Sequence, residues 1–154
     1  MKVLANLVPF VLPLATRWAE REEQRILQHG VPLSESSLSD ARSMGVSYPN
    51  RIRLLKVDCV PAPQNPLLRW AGRQTGLISP ATAGMALRYG IFIRSDCWNN
   101  RHIIAHECAH TAQYERLGSL SAFLAQYLRE CLLVGYPAAP LEQEAIERCA
   151  AIPL

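Results

Sequence analysis

Three of the four histidines in this 154-residue chain, His102, His106 and His110, fall at intervals of four. On an α-helix, at about 100° per residue, His106 and His110 lie one turn apart on a single face, so two imidazoles can share one tetrahedral metal ion. Glu107 falls beside that face. Its carboxylate is free to act on a water held by the metal in place of binding the metal itself, the division of labour that the H-E-x-x-H pattern encodes. The expected cofactor is one Zn²⁺ per chain, with His106 and His110 as ligands and Glu107 as general base.

A zinc site of this kind takes a third protein ligand and leaves its last position to water. Glu142 and Glu144 compete for that role. On a helix, Glu142 shares its face with Ala145, Ile146 and Cys149, whereas Glu144 points away with Glu147 and Ala151. A carboxylate on an apolar face needs a positive partner, which favours Glu142. His102 is a rival ligand, but three histidines at i, i+4 and i+8 spread over about 12 Å, so a supporting place or the mouth of the cleft suits it better. Gln113 also lies on the metal face and is a candidate to orient a ligand.

Helices must position these groups. Asn99 or Asn100 can cap a helix from Asn100 to Leu117, and Gly118 ends it. That helix is apolar almost all round, so it is buried, and burying two imidazoles and a carboxylate without partners is costly. Leu120–Val134 reads as an amphipathic helix closed by Gly135, and Pro140 opens a last one running to about Ala151. Upstream, Leu14–Gln28 reads as a helix with Pro13 near its start. Its Arg17, Glu20, Arg21, Glu23 and Arg25 would form a solvated face. Ser37 or Ser39 begins a short helix ended by Gly45. Arg51–Val60 alternates as a strand, Asn65 and Pro66 open a helix to Thr75, and Ala83–Leu87 with Gly90–Arg94 read as two strands. The expected fold is α+β: a mostly helical single domain with a small antiparallel or mixed sheet beside the H-E-x-x-H helix. Residues 1–50 would be a helical scaffold, 51–94 the sheet and 99–151 the metal-site helices.

Composition bounds the alternatives. A chain that is 49% hydrophobic with a formal charge of +3 has a real core and no basic run, which gives no support for nucleic-acid binding. The five cysteines lack C-x-x-C spacing and read as reduced core residues. Residues 3–15 are apolar yet too short to span a bilayer, and no clean cleavage site follows. Packing on the domain, with a cytoplasmic setting, is favoured over a signal peptide and export.

His106-Glu107-Cys108-Ala109-His110 resembles the zincin metallopeptidases, and with a later glutamate the gluzincins in particular. Pro140-Leu141-Glu142-Gln143-Glu144-Ala145 looks like their Glu-x-x-Ala helix, whose first Glu is the ligand. Continued through Thr111-Ala112-Gln113, the motif is also similar to uncharacterised bacterial families carrying H-E-x-x-H-x-x-Q. The resemblance covers residues 83–150. It implies a peptide or protein substrate laid along an edge strand within Ala83–Arg94, and a Tyr or His that steadies the transition-state oxyanion, for which Tyr136, Tyr114 and His102 are the candidates. Where relatives often carry Asp after the Glu-x-x-Ala segment this chain has Ile146, so a supporting carboxylate is missing there. The alternatives are a zincin-like metal-binding or protein-interaction module without catalysis, and a metal-free helical interaction domain.

Overall fold

The computed structural model describes residues 2–153. A short helix α1 (Lys2–Ala5) leads into the long α2 (Val8–His29), followed by β1 (Val31–Pro32), α3 (Glu35–Ser43), β2 (Arg53–Val57), α4 (Pro66–Thr75), β3 (Gly84–Leu87) and β4 (Gly90–Arg94). Then come α5 (Arg101–Leu117), α6 (Leu120–Val134) and α7 (Pro140–Cys149). The fold is α+β, a single domain whose helices surround a four-stranded mixed sheet of order β1-β2-β4-β3. β2 and β4 run parallel, while β1 pairs antiparallel with β2 and β3 antiparallel with β4.

Local chemistry sets most helix ends. Asn100 accepts the Ile103 amide and Ser119 that of Ala122, while Asn65 accepts those of Leu67 and Leu68. Each satisfies N–H groups that a helix start leaves without partners. Gly118, at φ 90°, ends α5 in the left-handed conformation that a side chain would oppose.

Elsewhere packing overrides local signals. α2 starts two turns earlier than its sequence suggests and carries Pro13 inside it. Val8 packs with Leu128 and Leu132 of α6, and Val11 with Leu68 and Ala71 of α4, contacts that offset the cost of an interior proline. α3 also begins a turn early, because Ser34 accepts the Ser37 amide. β2 is shorter than expected, since residues 49–51 form a 3-10 turn and pairing with β4 ends at Val57. β1 was not expected. Cys108, Cys131 and Cys149 are buried as anticipated, but Cys59 is exposed.

β4, inside the sheet, is buried on both faces. Gly90 faces α2, where an added Cβ would stand 3.0 Å from Ile26, and Phe92 lies beneath Arg25. By the two-residue alternation of a strand, Ile91 and Ile93 turn to the opposite face, shared by Gly84 and Ala86 of β3, against α5. The β3–β4 turn is clamped: Arg88, at φ 60°, donates to Glu23, the Tyr89 amide donates to the same carboxylate, and Thr111 of α5 donates to the Arg88 carbonyl at 2.6 Å. Glu23 is thus a core residue at 1% exposure, not part of a solvated face. Among the described residues no helix is long and apolar enough to cross a membrane.

Candidate metal centre

α5 carries His106 and His110 on one face, and α7 packs against it so that Glu142 meets them. Their ligand atoms lie within 4.8 Å of one another, so the three side chains could hold a metal ion. His106 Nε2 and His110 Nε2 are 3.2 Å apart, and each lies 3.1 Å from an oxygen of Glu142. A tetrahedral ion with bonds of about 2.0–2.1 Å has donor separations of about 3.3 Å. Each imidazole meets a different oxygen of the carboxylate, and this mixed nitrogen and oxygen donor set is unlike the all-oxygen sets of Ca²⁺ and Mg²⁺.

The donors are held in place by their own partners. Gln113 is completely buried. Its side-chain NH₂ donates to the Leu141 carbonyl at 2.8 Å and to Glu144 at 3.2 Å, so its Oε1 is the atom facing His110 Nδ1 at 2.9 Å. Both acceptors would repel the opposite amide orientation, so His110 carries a proton on Nδ1 and, when neutral, turns a lone pair on Nε2 toward the cluster. Tyr127 donates to one oxygen of Glu142 at 2.7 Å and Tyr136 to the other at 3.1 Å. Burial alone would raise the Glu142 carboxyl, but hydrogen bonds from His106 and His110, donated when their Nε2 atoms are protonated, outweigh it and hold the pKa below the ordinary range. Burial likewise lowers His110, and Glu142 and Glu107 more than restore it, so its pKa stands above the usual imidazole value. Acceptors converge here around a place for a cation.

Glu107 sits at the edge of this cluster under β3. Burial pushes its carboxyl above the ordinary value against the pull of His106 and His110, and the Ala86 amide donates to it. Gly84 makes room for it: an added Cβ there would stand 2.8 Å from Glu107 Oε1. The Ala86 carbonyl in turn accepts the Tyr114 hydroxyl at 3.2 Å. Ala83 bonds β4 through its carbonyl, so Ala86 and Gly84 direct their backbone groups to the open edge. With Ala86 engaged by α5, Gly84 is the β3 residue whose backbone faces that edge unclaimed by Glu107 or Tyr114. A cleft of about 520 Å³ opens over the cluster, walled by Trp18, Leu68, Ile78, Phe123 and Leu128 and floored by His106, Glu107 and Glu142.

Glu144 lies behind the cluster, half-buried, where hydrogen bonds from Arg116 bring its pKa down to about 2 and Arg148 adds to the pull. His102 turns away from the cluster: its Nδ1 faces the Ile152 carbonyl at 3.3 Å and its Nε2 the Cys149 sulfur at 3.4 Å. Tyr136 reaches the centre through Glu142, and Tyr114 bonds the β3 backbone. Ile146, expected on the buried face, is exposed because α7 turns its Glu142, Ala145 and Cys149 stripe inward. The sequence reading missed Tyr127 as part of the site. A tyrosine on the apolar face of α6 needs a buried partner for its hydroxyl, and that was the available signal. No protein-family model, curated protein or solved structure matches this chain.

Proposed function

We propose that this chain is a zinc-dependent hydrolase, a peptidase of minimal gluzincin type. The observation that carries the reading is the convergence of His106, His110 and Glu142 beside a buried Glu107 on the floor of an apolar cleft. Zinc bound there supplies Lewis-acid polarisation of a substrate carbonyl and acidifies a water. Glu107 accepts the proton of the attacking water and passes it to the leaving amine, a role for which a carboxyl raised by burial is suited. Tyr127 and Tyr136 hold Glu142 in orientation, and Gln113 does the same for His110. An extended peptide pairs with β3 at Gly84 and places an apolar side chain in the cleft, whose walls above the floor carry no charged side chain among the described residues.

A metal-binding module without catalysis is the second reading, and a closed four-ligand site would favour it. Cys149 and His102 are the side chains that could close the site, and both stand on the Nδ1 side of His106, away from the cluster. The open side faces the cleft, which favours catalysis. The cytoplasm is the setting this reading prefers, because Val8 and Val11 of the apolar N-terminal run are core residues of the domain.

Zinc per chain and peptide-library hydrolysis, measured for wild type and Glu107→Gln, test the proposal. About one zinc in both is expected, with turnover reduced ~10²–10⁴-fold or more in the variant. Undiminished hydrolysis by Glu107→Gln would sink the mechanism, and absence of zinc from dialysed wild type would remove the metal.

A further inference from the structure

His110 owes its proton position to Gln113, which the Leu141 carbonyl orients from the start of α7. His106 has no glutamine behind it. What stands there is Cys149, 1% exposed, with its sulfur 3.8 Å from His106 Nδ1. Behind Cys149 stands His102 Nε2 at 3.4 Å, and behind His102 the Ile152 carbonyl, 3.3 Å from Nδ1.

The far end of this string sets its direction. A backbone carbonyl only accepts, so His102 carries its proton on Nδ1 and, when neutral, leaves a lone pair on Nε2. The group facing that lone pair is the Cys149 thiol, whose one hydrogen has two acceptors within reach, this lone pair and the Ile146 carbonyl. The sulfur then keeps its lone pairs for His106 Nδ1–H, and His106 Nε2 turns its own lone pair toward Glu142 and His110. The thiol also lies 3.4 Å from the Ile146 carbonyl one turn back. Sulfur presents lone pairs to His106 whichever of the two takes its hydrogen. His102 and the Ile146 carbonyl both supply acceptors that draw the hydrogen away from the metal side.

We propose that Cys149 and His102 are positioning residues of the metal centre, fixing His106 in the tautomer whose Nε2 faces the ion. The proposal rests on the reading of His106 as a ligand. It gives α7 three parts in one site: Glu142 as ligand, Leu141 orienting His110 through Gln113, and Cys149 with the turn at Ile152 orienting His106. Such outer partners determine which ring nitrogen is free for the metal and hold the ring in line with it.

The test uses the full chain loaded with zinc and labelled with ¹⁵N-histidine, read by exchange of the His Nδ1–H protons and by zinc competition with a chromophoric chelator. In wild type, the Nδ1–H protons of both His106 and His110 are expected to exchange slowly. Cys149→Ala should expose the His106 proton alone and weaken zinc by ~10–100-fold. Cys149→Ser, which keeps an O–H donor and acceptor, should restore slow exchange. His102→Ala should act in the same direction by a smaller factor, and because His102 is only half-buried it carries the test if Cys149→Ala does not fold. Slow His106 exchange with unchanged zinc affinity in both Cys149→Ala and His102→Ala would overturn the proposal while leaving the metal site standing. A wild type that takes up no zinc would overturn the metal reading itself.

Discussion

Glu23 and Glu142 are both helical carboxylates taken almost wholly out of water, at 1% and 3% exposure, and their surroundings differ in one respect. Glu23 is answered by the protein: the Arg88 guanidinium meets it in a two-point bond at 2.9 and 2.6 Å, and the Tyr89 amide adds a third. Charge and hydrogen-bond capacity are both satisfied, and the result is mechanical. The pair ties α2 to the β3–β4 turn and so steadies the strand above Glu107. Glu142 receives hydroxyl protons from Tyr127 and Tyr136, which add no charge, and otherwise faces two imidazole nitrogens. Its positive partner must arrive as protons on those imidazoles or as a metal ion. A buried charge that the chain neutralises itself builds structure; one left facing acceptors marks a place for a ligand.

The largest effect is expected from Glu142→Ala, which should weaken zinc by well over 100-fold, more than the ~10–100-fold typical of losing a supporting hydrogen bond. The metal-free variant should stay folded by circular dichroism, and unchanged uptake in chelator competition would remove Glu142 from the ligand set. Glu23→Ala should do the reverse. Leaving Arg88 and the Tyr89 amide without their acceptor is expected to cost about 3 kcal/mol in urea unfolding, the low end for a broken buried pair because Arg88 can rehydrate. Zinc stoichiometry should hold at about one per chain; zinc lost without loss of stability would reverse the two roles.

In the metal-free protein the His110 pKa is raised above 6.5, so its contribution is complete below that value and is lost as pH rises through the folded-state pKa. A chelator should therefore lower Tm more at about pH 8 than at about pH 6, where protons stand in for the metal. An equal drop at both would mean that His110 does not feel the site's charge. The smallest effect belongs to Glu144, whose pKa is drawn from 4.5 down to about 2 by Arg116. Its stabilisation is present above the ordinary value and lost as pH falls toward 2. Glu144→Gln should flatten that part of the stability profile by less than about 1 kcal/mol, as fits a largely surface pair. A larger loss would show that its bond to Gln113 matters more than its ion pairs.

Much of this arrangement was legible in residue types and spacing. Asn65, Asn100 and Ser119 cap helices through bonds to amides two or three residues away, and Gly118 ends α5 by its own backbone freedom. Such signals are complete within a turn or two, so the sequence displays them. The helical period also put His106 and His110 on one face and Glu142 rather than Glu144 on an inward one. Contacts between distant segments were not legible. Glu23 reads as one charge among several on α2 until Arg88, 65 residues on, is folded against it. α2 keeps its first two turns despite Pro13 because α4 and α6 cover Val8 and Val11. The parallel pairing of β2 with β4, the tyrosine hydroxyls on Glu142 and the string from Ile152 to His106 likewise depend on which faces meet. Sequence alone determined the chemical types of the candidate site and the helices that carry them. Tertiary structure decided which groups meet, because burial and pairing are properties of two segments together and neither segment displays them alone.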